Sequence, residues 1–183
     1  WQASTVLSNL LSPVTSRNII VGNSGATSAA TAKAFTWAEI DNTPLEVSLN
    51  TVTLSPTSGS TTDTLAEDRL KYIRGDKSKE GTIFRSRSSL LGDIVNSGIV
   101  YSGAPSAQID SSTAYGTFYT ANASRTPALF VGANDGMLHA FQASNGNELF
   151  AYIPSWMGPK LAALTSTSYN SNHQNYVDAT PTV

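Results

Sequence analysis

Residues 128–153 read Ala128-Leu129-Phe130-Val131-Gly132-Ala133-Asn134-Asp135-Gly136-Met137-Leu138-His139-Ala140-Phe141-Gln142-Ala143-Ser144-Asn145-Gly146-Asn147-Glu148-Leu149-Phe150-Ala151-Tyr152-Ile153. Three β-prone runs, at 128–132, 137–142 and 148–153, are separated by Ala133-Asn134-Asp135-Gly136 and by Ala143-Ser144-Asn145-Gly146-Asn147. Asn, Asp and Gly supply the local hydrogen bonds and positive φ that tight hairpin turns require. A fourth β-prone run, 115–121, precedes them. Short strands joined by tight turns make an antiparallel meander, the unit of a sandwich or of a propeller blade.

Outward from the meander, the N-terminal side mixes small-residue connectors with short apolar runs. Residues 18–22, 34–40 and 45–54 read as β-prone, and in the last of these Glu46, Ser48 and Asn50 alternate with Val47, Leu49 and Thr51 as in a half-buried strand. Residues 23–32 and 55–62 read as loops, the latter with Pro56 and Gly59 as breakers. From Asp63 the period changes: Ala66, Leu70 and Ile73 share a helical face, and acidic residues precede basic ones. Thr62 or Asp63 is expected to cap this helix and Gly75 to stop it. Residues 92–103 read as two strands about an Asn-Ser-Gly turn, residues 157–164 as a second helix, and residues 176–183 as a last strand. The expected architecture is mainly β, a partial propeller of antiparallel meander blades with two short helices. It divides into a Ser/Thr-rich leading segment, 1–62, and the blades of 63–183.

About a quarter of the 183 residues are Ser or Thr, only 13% are charged, and the net charge is -2. Polarity carried by hydroxyls suits a secreted β protein. Such a surface does not attract nucleic acid or an anionic membrane broadly. No stretch approaches the ~18 apolar residues of a spanning helix. The absence of cysteine excludes disulfides and thiolate chemistry. A start at Trp1 and a stop within a strand-like motif are expected of a piece of a longer chain, truncated before its last blades.

Four segments carry a resemblance in order and spacing. Phe130-Val131-Gly132-Ala133-Asn134-Asp135-Gly136-Met137-Leu138-His139-Ala140-Phe141 with Gly146-Asn147-Glu148-Leu149-Phe150-Ala151-Tyr152-Ile153-Pro154 resembles the C-terminal β-propeller of PilC/PilY-type, type IV pilus tip-associated proteins. Tyr72-Ile73-Arg74-Gly75-Asp76, then Phe84-Arg85-Ser86-Arg87 with Leu91-Gly92-Asp93-Ile94-Val95-Asn96-Ser97, and finally Tyr176-Val177-Asp178-Ala179-Thr180-Pro181-Thr182-Val183 match its other segments. Two positions depart from the family pattern: Gly98 stands where Pro is expected, and Ala179-Thr180 where Gly-Ser is usual. The resemblance implies a non-enzymatic protein of pilus biogenesis, adhesion and the balance of extension and retraction. It would sit at the outer surface, with pilus subunits or minor pilins, and a host-cell receptor, as partners. It also implies one calcium ion, held by an Asp-rich loop. No Asp-x-Asp-x-Asp-Gly pattern occurs here, so its ligands are expected outside this chain.

Arg74-Gly75-Asp76 is a candidate receptor-binding triplet of integrin type, although it closes a helix and each residue is more simply explained by that helix end. Asn134, Asp135, Gly136 and His139 are the family-signature turn residues; the first three most simply form a turn, and His139 shares a strand face with Met137 and Phe141. His173 reads as a solvated loop residue. Seven of the eleven Lys and Arg lie between 69 and 87, which reads as a solvated helix face. Loops 104–113 and 165–175 are the expected display surfaces. Two rival classes are a quinone-dependent dehydrogenase propeller, whose docking Trp is replaced here by Phe150, and a structural surface scaffold.

Overall fold

The computed structural model describes residues 1–22, 32–55, 57–106 and 113–182. In chain order its elements are α1 (Ala3–Ser8), α2 (Pro13–Ser16), β1 (Ile19–Gly22), β2 (Ala32–Ala34), α3 (Trp37–Ile40), α4 (Pro44–Leu49), β3 (Thr51–Val52), β4 (Thr61–Thr62), α5 (Ala66–Arg74), β5 (Val100–Ser102), α6 (Thr113–Asn122), β6 (Ala128–Ala133), β7 (Met137–Gln142), β8 (Glu148–Ile153) and α7 (Gly158–Leu161). Short 3-10 turns at Ser155–Met157 and Ala162–Thr165 flank α7, and another lies at Tyr169–Ser171.

The fold is mainly β, organised by a six-stranded sheet of order β2-β1-β8-β7-β6-β5. β5 to β8 form the antiparallel meander, and the turn chemistry is as expected: Gly136 and Gly146 take φ of 90° and 77°. β1 then joins β8 in parallel, Ile19 to Val21 facing Ala151 to Ile153. One face of this sheet, with Ile19, Val21, Met137 and Ile153, packs on Leu49 of α4, Leu70 and Ile73 of α5, and Leu161 of α7. A smaller cluster joins Leu7 of α1 to Leu90, Val131 and Phe141. Residues on both sides of position 62 therefore share one core. Closure into a ring is not seen among the described residues. No helix among them is long and apolar enough to cross a membrane.

Several local expectations are corrected. Residues 45–54 form a helix and a two-residue strand: Pro44 sits in the first turn with Glu46, and the i, i+4 pair Leu45 and Leu49 turns inward. The apparent alternation left Val47 exposed instead. The 34–40 run splits into the end of β2 and the single turn α3. Residues 115–121 lie in α6, where Thr120 and Asn122 bond the carbonyls of Gly116 and Phe118 one turn back and Tyr115 packs against Phe118. Helix α5 begins at Ala66, after Asp63 has accepted the Leu65 N–H and Asn50 the Ala66 N–H. The 157–164 helix is interrupted by 3-10 geometry, and α1 to α4 and α6 were not expected as helices. Residues 23–31, Pro56, 107–112 and Val183 lie outside the described residues, and with them most of one expected loop and much of one display surface.

The strands expected at the start of 92–103 and at 176–183 are absent among the described residues for a common reason. These segments zip to each other through side chains. Asp178 accepts the Asn96 N–H at 2.8 Å and its Nδ2 at 2.7 Å, Ser97 Oγ donates to the Ala179 carbonyl at 3.0 Å, and Thr180 Oγ1 accepts the Gly98 N–H at 2.7 Å. The two departures from the family pattern are thus bonded to each other, since a proline at 98 has no N–H to donate. Gly98→Pro is expected to lose about 1 kcal/mol of stability with Thr180 present, and less in a Thr180→Ala background, read as urea midpoints in a double-mutant cycle.

Candidate functional site

Arg17, directly after α2, is the one charged side chain in residues 1–32. It is 4% exposed. Its Nε and Nη2 grip the two carboxylate oxygens of Glu148 at 2.7 and 2.8 Å, while Nη1 reaches the carbonyls of Ile73 and Arg74 at 3.4 Å. Glu148 opens β8, and its Oε1 also lies 2.9 Å from His139 Nδ1 on β7. The other ring nitrogen of His139 lies 3.1 Å from both oxygens of Asp135, in the β6–β7 turn. Asp135 in turn accepts the N–H of Gly92 at 2.8 Å and that of Met137 at 3.2 Å. The result is a buried line of four groups, Arg17, Glu148, His139 and Asp135, with Phe141 stacked on the imidazole at 5.5 Å.

Burial by itself lowers the pKa of an imidazole and raises that of a carboxylate. At His139 the opposing pull of Asp135 and Glu148 exceeds burial and lifts the group from its ordinary 6.5 to about 9. At Glu148 burial is outweighed by the bonds from Arg17 and His139, which bring it from 4.5 to about 2. At Asp135 His139 likewise overcomes burial and lowers the carboxyl. At neutral pH the line therefore alternates cation, anion, cation, anion. Both nitrogens of His139 are engaged and its ring is fully enclosed, so the cluster acts as an internal clasp.

The neighbouring signature residue does similar work. Asn134, 2% exposed, donates its N–H to the Asp93 carbonyl at 3.0 Å and its Nδ2 to the Asp93 carboxylate at 2.8 Å, and accepts the Tyr176 N–H at 2.9 Å. A Cβ on Gly92 would fall 2.3 Å from the Asp135 nitrogen, so only glycine allows the 91–93 segment to lie against this turn. His173 is not simply solvated. It lies 3.2 Å from Asp93 and edge-on to Tyr169.

The receptor-binding expectation for Arg74-Gly75-Asp76 is corrected by burial. Arg74 is 4% exposed, and its guanidinium donates to the carbonyls of Val14, Phe35 at 2.7 Å and Arg17 at 2.6 Å. Arg17 donates to the Arg74 carbonyl in return, so the two arginines tie the N-terminal segment to α5. Gly75 ends the helix with φ 127°, and Asp76 accepts the N–H and hydroxyl of Ser78. The solvated-face reading of 69–87 is corrected likewise. Arg69 pairs with Asp63 and donates to the Leu49 carbonyl, and Arg87 pairs with Glu80 and lies over the Tyr72 ring at 3.5 Å. The guanidinium forks satisfy carbonyls that the short, irregular segments leave unpaired.

A family model of the PilY1 beta-propeller domain matches residues 91–183. The chain belongs to the PilY1 family. It is 38% identical, over its whole length, to the type IV pilus biogenesis factor PilY1 of Pseudomonas aeruginosa strain PAK and 39% identical to that of strain UCBPP-PA14. A type IV pilus biogenesis factor PilY1 homolog of Xylella fastidiosa strain Temecula1 is 45% identical over 60% of the chain and 10% of that protein. The chain spans 16% of the length of the Pseudomonas relatives. No solved structure matches. The PilY1 match begins at Leu91 and so holds Gly92, Asp135, His139 and Glu148, while Arg17 and Arg74 precede it.

Among the described residues no group of three or more His, Cys, Asp or Glu side chains is placed to hold a metal ion, and the Asp135 carboxylate is spent on His139 and two N–H groups. Sequence reading singled out none of Arg17, Glu148, Gly92 and Asp93 as site residues, although the last three lie in segments that carry the family resemblance. A lone charge in an otherwise uncharged N-terminal stretch was the signal available for Arg17.

The clasp sets the stability profile. His139, raised in the folded state, stabilises fully below pH 6.5 and loses this as pH rises through about 9; Glu148, lowered, stabilises fully above pH 4.5 and loses this as pH falls towards about 2. Urea midpoints measured across pH are expected to be flat between 4.5 and 6.5 and to fall on both sides, and His139→Gln to remove the alkaline fall. Arg17→Met, which leaves Glu148 buried without its cation, is expected to cost about 3–5 kcal/mol.

Proposed function

We propose that the chain serves type IV pilus biogenesis as a non-enzymatic propeller segment, acting in surface attachment and in the balance of pilus extension and retraction. The observation that carries this reading is identity across the whole chain to proteins named type IV pilus biogenesis factors. The clasp supports a role without catalysis, because its only imidazole is enclosed and committed at both nitrogens. A rigid sheet held from inside presents its loops in fixed positions, the arrangement that recognition of pilus subunits or minor pilins requires. The location proposed is the outer surface, with the pilus. Calcium is proposed to act through ligands elsewhere in the longer protein.

The test is a chimera in Pseudomonas aeruginosa in which this chain replaces the matching segment of PilY1. Surface pili and twitching are expected to return to the wild-type level, and attachment to a host-cell layer with them. Restored pili without attachment removes the adhesive part of the reading; no pili from a stably produced chimera removes the whole. In calorimetry the isolated chain is expected to show no calcium binding of micromolar or better affinity.

A further inference from the structure

A pocket of about 240 Å³ opens between the 85–93 segment and the turn at Tyr169–Ser171. Two arginines line it, and they differ. Arg87 is neutralised by Glu80 at 2.7 Å and also donates to the carbonyls of Tyr72 and Asp76. Arg85 spends only Nε, on the Leu164 carbonyl at 2.6 Å. Among the described residues neither of its terminal nitrogens has a hydrogen-bond partner, and no carboxylate lies within 4 Å of it. Its guanidinium is nonetheless held in place, 4.3 Å above the ring of Tyr169.

The hydroxyl of Tyr169, another wall of this pocket, is buried and has no hydrogen-bond partner among the described residues. Asp93 also lines the pocket, with half of its side chain exposed and its remaining lone pairs open to a donor. An oriented, unpaired guanidinium fork matches a carboxylate in both geometry and charge.

We propose that this pocket binds a carboxylate carried on a residue-sized body that also bears hydrogen-bond donors, with the carboxylate on Arg85 and a donor towards Asp93. An acidic sugar and an acidic amino acid both present this chemistry. The inference does not depend on the pilus reading.

Calorimetric titration of the full chain with D-glucuronate, L-glutamate, glucose and sulfate, at matched ionic strength, tests it. Glucuronate or glutamate is expected to bind saturably, with glucose and sulfate at least tenfold weaker; the tighter acid identifies the source. Arg85→Gln is expected to weaken binding at least tenfold. Because Arg85 also holds the Leu164 carbonyl, the exposed Asn170 at the pocket's edge supplies a second variant: Asn170→Trp is expected to block binding with an unchanged melting midpoint. The proposal is overturned if neither acid saturates, if glucose or sulfate binds as well as the acids, or if binding survives in both variants.

Discussion

The two-pronged bond between Arg17 and Glu148 holds the molecule's parts in one arrangement. A guanidinium and a carboxylate taken out of water lose several kcal/mol of hydration each, and only good geometry with further hydrogen bonds compensates. Here the compensation is complete on both sides. Glu148 also meets His139, and Arg17 reaches two carbonyls at the end of α5. The pair therefore connects the N-terminal segment, the meander and the helical layer through a single point, and a shift in any of them leaves a buried charge alone.

Around that point the chain uses side chains where a more regular fold uses backbone ladders. The arginines of 69–87, the Asn134 amide and the hydroxyls of Ser97 and Thr180 all bond main-chain groups on distant segments. Short strands and broken helices leave many such groups open, and each one buried without a partner is costly. A chain with few charges thus concentrates its cations where carbonyls need them. Arg85, with two nitrogens still open in a pocket, stands apart from this pattern.

Legibility in the sequence followed the range of the interactions involved. The turns at Asn134-Asp135-Gly136 and Asn145-Gly146 are local chemistry, and the strands beside them appeared where that chemistry put them. Helix α5 was legible from its period and charge order. Helices α4 and α6 were not, because Val47, Tyr115 and Phe118 suit strands by composition, and only packing and i, i+4 bonds in the folded chain decide otherwise. The site was half legible: His139 and its turn stood out, whereas its partner Glu148 lies across a hairpin and Arg17 more than a hundred residues away. The triplet at Arg74 showed the opposite failure, since a motif read as an exposed ligand spends its cation on carbonyls supplied by residues 14, 17 and 35.

The parallel pairing of β1 with β8 also orders events in time. Ile19 to Val21 cannot find Ala151 to Ile153 until some 130 intervening residues exist, whereas β6, β7 and β8 need only short loops to meet. Loop-closure entropy favours the local hairpins first, so the meander is expected to form before the N-terminal strand docks. Until β8 is made, β1 can pair only with β2, so its other Ile-Ile-Val edge stays open to a wrong partner.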